Sequence, residues 1–226
     1  MGAVGTTIGF DLDMTLIDPR PGMVAAMDAL AAETGLPLDG EYFAAHLGPP
    51  LDHVLRDFGA PEADLPWLVA RFRETYPEIV IPRTVALPGA EDTIKAVRAA
   101  GHQVLVVTGK YGPNAALHLD ALGLRVDHLV GELWAAGKAR ALRDHGAAAY
   151  VGDHRGDVLG ALAAGVLPVG VTTGPCPRAE LLDAGAEVVL DSLEEFPAWL
   201  AANPLAATSW PSYCRSPAGD PRGPVR

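Results

Sequence analysis

Residues 7–16 constrain the fold and the chemistry of this chain more than any other stretch, because an apolar run there ends in two aspartates. The run from Thr7 to Phe10 is typical of a buried strand, and Asp11 and Asp13 follow at its carboxyl end. Residues i and i+2 of an extended chain share a face, so both carboxylates can address one site. Two such carboxylates repel each other unless a cation or a shared proton relieves them. Aspartate is also common in turns, so this pair alone leaves an ordinary turn open.

The second half of the chain alternates short apolar runs with helical segments, as βαβ units do. The run 103–107 (Gln-Val-Leu-Val-Val) is continuous, which favours a parallel strand covered on both faces. The alternation predicts an α/β fold with a Rossmann-like parallel sheet and helices on both faces, whose binding site lies at the carboxyl ends of the strands. We predict strands at 6–12, 103–107, 126–130, 147–151, 167–171 and 187–190, and helices at 90–100, 114–122, 138–145, 158–164, 179–184 and 193–202.

Residues 18–83 follow a different pattern, with four helical segments separated by Gly and Pro and no alternation typical of strands. The sequence therefore predicts a core domain of residues 1–17 and 84–202 with a helical insert at 18–83. Five prolines interrupt residues 203–226, which we expect to form a flexible tail. The predicted helices of the insert are 23–34, 42–47, 52–58 and 65–76.

The net charge of −11 over 226 residues argues against nucleic acid or an anionic membrane surface as a partner. A small anionic substrate would need a local positive site, such as a metal ion. The two cysteines, Cys176 and Cys214, fit a reducing compartment, and neither a signal peptide nor a stretch long enough to span a bilayer is visible. These features predict a soluble cytoplasmic protein and leave open whether it is a monomer or a homodimer.

Two further features fall where the fold places a site. Thr108 and Gly109 follow the predicted strand 103–107 and offer a hydroxyl and an approachable backbone N–H, which suit a phosphate oxygen. Lys138, one of only three lysines, begins a predicted helix, which is the unfavourable end for a cation. A plain strand-to-helix turn explains Thr108-Gly109 equally well. A surface residue is the alternative for Lys138, but its position favours a functional interpretation.

A second strand also ends in carboxylates, in the sequence Gly152-Asp153-His154-Arg155-Gly156-Asp157. Asp153 would lie at the strand tip and Asp157 in the first turn of the next helix, where the helix dipole also favours it. The sheet would then collect Asp11, Asp13 and Asp153 at one edge, with Asp157 as a possible fourth, and four carboxylates there require a divalent cation. Ligand sets made only of oxygen favour Mg²⁺, and we expect no metal role for His154.

The chain resembles the haloacid dehalogenase-like hydrolase superfamily in four motifs that occur in the same order. The insert after the first motif resembles the small helical cap domain of the phosphoglycolate phosphatase-like branch. The resemblance covers residues 6 to about 200 and leaves out the tail. The motifs are Asp11-Leu12-Asp13-Met14-Thr15, Thr108, Lys138 and Gly152-Asp153 with Asp157, and further matches lie at 71–76, 87–89 and 161–166.

This resemblance implies a Mg²⁺-dependent phosphatase that acts on a small phosphorylated metabolite. Asp11 would attack the phosphorus, and Asp13 would act as general acid and then as general base. Mg²⁺ would lie at Asp11, the backbone carbonyl of Asp13 and Asp153. Thr108 and the Gly109 amide would hold a phosphoryl oxygen, and Lys138 would neutralise the phosphate and Asp11.

Asp157 of the fourth motif would support the metal site or Lys138. The loop 46–51, with Gly48 and Pro49, resembles the family's specificity loop and would read the substrate. Independently of the resemblance, Arg56 or Arg73 could meet a substrate carboxylate by a bidentate contact.

Several other activities share this fold. A haloacid dehalogenase needs Asp11 but no acid two residues later, so Asp13 favours phosphate chemistry. A phosphonate C–P hydrolase relies on a cap lysine, and residues 18–83 contain none. A sugar-phosphate mutase shares all four motifs and stays open, as does a phosphate-binding module without turnover.

Overall fold

The computed structural model describes residues 6–205, in which six parallel strands form a sheet flanked by helices. A second, two-stranded ribbon is antiparallel. In chain order the elements are β1 (Thr7–Phe10), β2 (Ile17–Asp18), α1 (Arg20–Thr34), α2 (Gly40–Ala45), α3 (Leu51–Asp57), α4 (Leu65–Ile79), β3 (Val85–Ala86), α5 (Ala90–Ala99), β4 (Gln103–Val107), α6 (Gly112–Ala121), β5 (His128–Val130), α7 (Lys138–Asp144), β6 (Ala147–Gly152), α8 (Arg155–Ala164), β7 (Leu167–Val171), α9 (Arg178–Asp183), β8 (Val188–Leu190) and α10 (Phe196–Ala202).

The strand order of the large sheet is β5-β4-β1-β6-β7-β8, which confirms the predicted α/β fold. The chain moves outward from β1 to β4 and β5, and then crosses back to β6 on the other side of β1. The direction of winding therefore reverses between β1 and β6. In open parallel sheets, ligands bind outside the carboxyl ends of the strands at such a reversal.

Both faces of β4 are buried, as the continuous apolar run predicts. Val104 and Val106 pack into one hydrophobic cluster with Ile8 and Phe10. The alternate residues Leu105 and Val107 pack into a second cluster on the other face. Full burial of an aliphatic side chain contributes about 1.5–3 kcal/mol, so these clusters hold β1 and β4 firmly in register.

Helices α1–α4 enclose a hydrophobic cluster of their own, which includes Met27, Leu68 and Phe72. The ribbon of β2 and β3 pairs Ile17 with Ala86, so the two connections to these helices run side by side. This ribbon could not be predicted from the sequence, because two-residue strands leave no periodic pattern. The division of the chain into a core domain and a cap domain stays a prediction.

Several observed boundaries differ from the predicted ones. Helix α1 begins at Arg20, because a proline in its first turn supplies the backbone angle of a helix start. Helix α8 begins at Arg155, because the His154 side chain caps it. The predicted helix 193–202 opens with a 3-10 turn at Leu193–Glu195, and the predicted strand 126–130 begins only at His128.

The predicted tail falls outside the described residues from position 206 onward, as does Cys214. Within the described range, none of the helices combines the length and the apolar character needed to cross a bilayer.

Candidate active site

The side chain of Lys138 is fully buried and lies at the centre of a polar cluster. Its Nζ atom donates to Asp11 Oδ1 at 2.9 Å, to Asp157 Oδ1 at 2.7 Å and to the Tyr150 hydroxyl at 2.8 Å. An ammonium group has three donors, so the protein uses all of them. Burial alone would lower the pKa of Lys138, but the two carboxylates reverse this and raise it. Lys138 is therefore a fixed positive charge that orients Asp11.

Oxygen atoms of Asp11, Asp153 and Asp157 lie within 4.8 Å of one another. Burial raises the pKa of Asp11 and Asp153, and repulsion from Asp157 adds to the increase in both. One lysine cannot balance three buried carboxylates. This all-oxygen donor set fits a hard divalent cation, which would supply the missing positive charge.

The sheet places Asp11 and Asp153 together, because they follow the adjacent strands β1 and β6. The Thr15 hydroxyl donates to Asp153 Oδ1 at 2.8 Å and fixes that carboxylate. On the other side of the Asp153 carboxylate, the backbone of Gly174 packs so closely that a Cβ at residue 174 would overlap Asp153 Oδ2. Gly152 makes room for Asp157 in the same way.

The side chain of Asp13 pairs with Lys110. Lys110 Nζ lies 3.0 Å from Asp13 Oδ2, while Asp13 Oδ1 is buried and has no hydrogen-bond partner within residues 6–205. Burial raises the pKa of Asp13, and Lys110 opposes part of the increase. A metal role for Asp13 would therefore involve its backbone carbonyl, and the carboxylate remains available for proton transfer.

Lys110 also links Asp13 to helix α4 and helix α6. Its ammonium donates to the Tyr76 hydroxyl, and that hydroxyl lies 2.7 Å from His118 Nε2. Burial and the Lys110 charge lower the pKa of His118 to about 3. His118 is therefore neutral, and its Nε2 accepts the hydrogen bond from Tyr76.

Thr108 and Gly109 lie at the carboxyl end of β4, beside the same centre. The Thr108 side chain is buried, and its oxygen accepts from the Lys110 N–H at 3.2 Å, which leaves the hydroxyl proton for another acceptor. A cavity of about 390 Å³ opens in front of them, and its lining includes Asp11, Asp153, Gly48 and Pro49.

Helices α1–α4 supply the far wall of this cavity, opposite the strand ends. Gly48 lies on the indole of Trp134, and its carbonyl faces Gly109.

The two arginines considered for substrate binding occupy different environments. Arg73 lines the cavity, pairs with Glu132 at 2.9 Å and lies over the ring of Tyr111. Arg56 pairs with Glu62 at 2.9 Å outside the cavity. The structure therefore brings Arg73 to the candidate site and leaves Arg56 out of it. His154 also lines the cavity, and its Nδ1 accepts from the Gly156 N–H to cap α8.

Sequence reasoning missed several residues of this site. Lys110 could have been found, because it directly follows Thr108-Gly109 and lysines are rare in this chain. Tyr76, Tyr150 and Trp134 carry no local signal, since only long-range packing brings them here.

The fold and the site define an α/β enzyme whose centre combines buried carboxylates with a buried lysine. The family model described as haloacid dehalogenase-like hydrolase matches residues 8–171. The phosphoglycolate phosphatase of Caulobacter vibrioides is 30% identical over 85% of this chain and 90% of its own length. The phosphoglycolate phosphatase of Chromobacterium violaceum is also 30% identical, over 83% of this chain and 93% of its own length.

Solved structures agree on the fold. A haloacid dehalogenase-like family hydrolase from Streptococcus pneumoniae has a TM-score of 0.74 at 23% identity, and the match covers 87% of this chain and 99% of that chain. The chain belongs to the haloacid dehalogenase-like hydrolase family and is a hydrolase of the phosphatase type. This confirms the family that the four motifs predict.

Proposed function

We propose that this protein is a Mg²⁺-dependent phosphomonoester hydrolase that acts on a small phosphorylated metabolite, either a phosphoglycolate-like acid or a sugar phosphate. The observation that carries the proposal is the geometry around Asp11. Lys138 orients this carboxylate at 2.9 Å, and Asp153 follows the adjacent strand. The buried and unpartnered Oδ1 of Asp13 supplies the proton-transfer group that a dehalogenase would not need.

The reaction proceeds in two steps. An oxygen of Asp11 attacks the phosphorus, the bond to the alcohol oxygen breaks, and Asp13 gives its proton to that oxygen. A water molecule then attacks the phosphorus of the aspartyl-phosphate, and Asp13 takes a proton from it. The products are inorganic phosphate and the original Asp11 carboxylate.

The remaining groups position the phosphate. The Thr108 hydroxyl and the Gly109 amide hold phosphoryl oxygens, while Lys138 contributes charge and keeps Asp11 in place. Asp11, the Asp13 carbonyl and Asp153 would hold Mg²⁺. When bound, the metal would neutralise the repulsion between carboxylate and phosphate, which is roughly 4 kcal/mol per charge pair at about 4 Å in an effective dielectric of 20.

The loop 46–51 would read the leaving group, because Gly48 and Pro49 line the cavity opposite the strand ends. The four helices α1–α4 would act as a cap domain that excludes water during the reaction.

The direct test is phosphate release from a panel of phosphomonoesters, with and without Mg²⁺, beside the Asp11→Asn variant. We expect release that depends on Mg²⁺ and disappears in the variant. Chloride release from a haloacid without phosphatase activity would instead favour a dehalogenase. Isomerisation of a sugar phosphate without net release would favour a mutase.

A further inference from the structure

We infer that the leaving group is an uncharged alcohol with an apolar, ring-sized body, and that carboxylated phosphate esters are poor substrates. This inference rests on the proposed hydrolysis of a phosphomonoester and goes beyond the substrate class named there. It departs from phosphoglycolate, whose leaving group carries a carboxylate. Charge balance, size and apolarity of the cavity each support it.

The described part of the chain contributes two cationic side chains to the cavity lining, Arg73 and Lys110. Lys110 is committed to Asp13 at 3.0 Å, and only 4% of its side chain is exposed. Arg73 is committed to Glu132 at 2.9 Å. A substrate carboxylate would have to replace one of these partners.

The other polar groups at the leaving-group end of the cavity do not favour the binding of a second anion. Asp52 also lines the cavity, and its Oδ2 lies 3.8 Å from Arg56 Nη1, so it adds no positive charge to the lining. The His154 Nδ1 accepts a hydrogen bond from the Gly156 N–H that caps α8, so this atom is not a free donor for a carboxylate. Within residues 6–205, the cavity lining therefore offers a carboxylate no cation that lacks an acidic partner, whereas a neutral group needs none.

The cavity is also larger and more apolar than a two-carbon acid requires. At about 390 Å³ it falls within the range of about 300–1,000 Å³ that holds drug-sized ligands. Apolar side chains from the helices, including Met23, Phe43, Val69 and Phe72, form its far wall. The indole of Trp134 adds a flat surface, tilted by 47° to the ring of His154. Covering an apolar ring with this wall contributes favourable binding free energy, whereas a hydrated carboxylate contributes none.

Two matched substrate pairs separate charge from shape. The first is 2-phosphoglycolate with its primary amide, and the second is 4-carboxybenzyl phosphate with benzyl phosphate. We expect kcat/KM to be at least about tenfold higher for the neutral member of each pair, a difference of about 1.4 kcal/mol. We expect benzyl phosphate to be the best of the four.

The variant Glu132→Gln tests the cause of the selectivity. It removes one acidic group and leaves Arg73 without its charged partner, so the preference for the neutral member should fall at least about fivefold. Glu62→Gln is the matched control, because it breaks the equivalent pair with Arg56 outside the cavity at the same 2.9 Å distance. It should leave the preference unchanged, and thermal unfolding of both variants checks that they fold.

The outcomes are distinguishable. Phosphate release that favours the carboxylated member of either pair, or an unchanged preference in Glu132→Gln, would overturn this inference and leave the phosphatase proposal standing. No release from the four esters by a protein that hydrolyses other members of the phosphomonoester panel would overturn this inference alone. No release from any member of the panel in the presence of Mg²⁺ would overturn the proposed function and this inference with it.

Discussion

Lys110 Nζ lies 3.0 Å from Asp13 Oδ2, and both side chains are largely buried, with exposed fractions of 4% and 17%. Lys110 follows β4 and Asp13 follows β1, so the ion pair joins two adjacent strands of the sheet. A buried pair contributes little in net stability, but removing one partner leaves an uncompensated charge. The charge of Asp13 is therefore compensated by Lys110, which takes no part in the proposed reaction steps.

We expect Lys110→Met to lower the free energy of unfolding by about 3–5 kcal/mol. Removing Asp13 as well, in Lys110→Met/Asp13→Asn, should recover at least about 2 kcal/mol, because the unpaired carboxylate is gone. Urea unfolding of the wild type, Lys110→Met, Asp13→Asn and the double variant measures this coupling in a double-mutant cycle.

Lys95→Met is the control, since the Lys95 side chain is 63% exposed and its ion pairs within residues 6–205 are with Glu91 and Asp92 of its own helix. Equal losses in Lys110→Met and in the double variant would show that Lys110 stabilises the fold independently of Asp13.

Asp11→Asn should abolish phosphate release, with a loss of at least about 10³-fold in kcat, because an amide oxygen cannot replace the nucleophile. Thermal stability should stay the same or rise. The reason is that burial and the neighbouring Asp157 both disfavour the charged form of Asp11.

The matched control is Asp144→Asn, whose carboxylate is 63% exposed and pairs with Arg140. Activity within tenfold of wild type in Asp11→Asn would exclude Asp11 as the nucleophile.

Gly174→Ala should displace Asp153 and lower activity, because the new Cβ would overlap the carboxylate. We expect a loss of about 1–3 kcal/mol in the free energy of unfolding, typical of overpacking. Gly112→Ala provides the comparison, since a Cβ there meets no atom within 4 Å. If both substitutions had the same effect on kcat, close packing against Asp153 would not matter for activity.

Binding of Mg²⁺ can be measured without turnover. At a concentration of 100 times its Kd, a ligand that binds only the native state adds about 2.7 kcal/mol to the free energy of unfolding. Mg²⁺ should therefore raise the Tm of the wild-type protein and leave that of Asp153→Asn nearly unchanged. A rise of equal size in both would place the metal elsewhere.

The residues of the site that could be predicted from the sequence are those that a local sequence pattern indicates. Asp11 and Asp153 each follow an apolar run, and parallel strands bring their carboxyl ends to one edge, so the pattern alone indicates their proximity. Tyr76 and His118 are different. Tyr76 is 34 residues from Lys110 and 42 from His118, and its hydrogen bonds arise only when α4 packs against α6.

The hydrogen-bond partners of Lys138 could not be predicted from the local sequence. Its position at a helix start indicates a functional role, and the prediction gave it contact with the phosphate. The structure uses its three donors on Asp11, Asp157 and Tyr150, which follow from side-chain directions that no sequence pattern encodes. Contact with a phosphoryl oxygen would require one of these hydrogen bonds to break.

The buried His118 predicts a loss of stability in acid. Its pKa is about 3 in the folded protein and 6.5 in the reference state, because burial and the Lys110 charge disfavour its protonation. Between these values the unfolded chain binds a proton that the native state does not, so stability falls as the pH falls. From pH 7.5 to 5 this contribution amounts to about 2 kcal/mol.

His118→Asn keeps an acceptor for the Tyr76 hydroxyl but cannot be protonated in this range. Its free energy of unfolding should decline less steeply between pH 7.5 and 5 than that of the wild type, by about 2 kcal/mol over the interval. Urea unfolding at several pH values measures the two slopes, with His53→Asn as control because the His53 side chain is 62% exposed. Parallel curves for His118→Asn and the wild type would mean that His118 is protonated in the folded protein, and its hydrogen bond with Tyr76 would then run in the opposite direction.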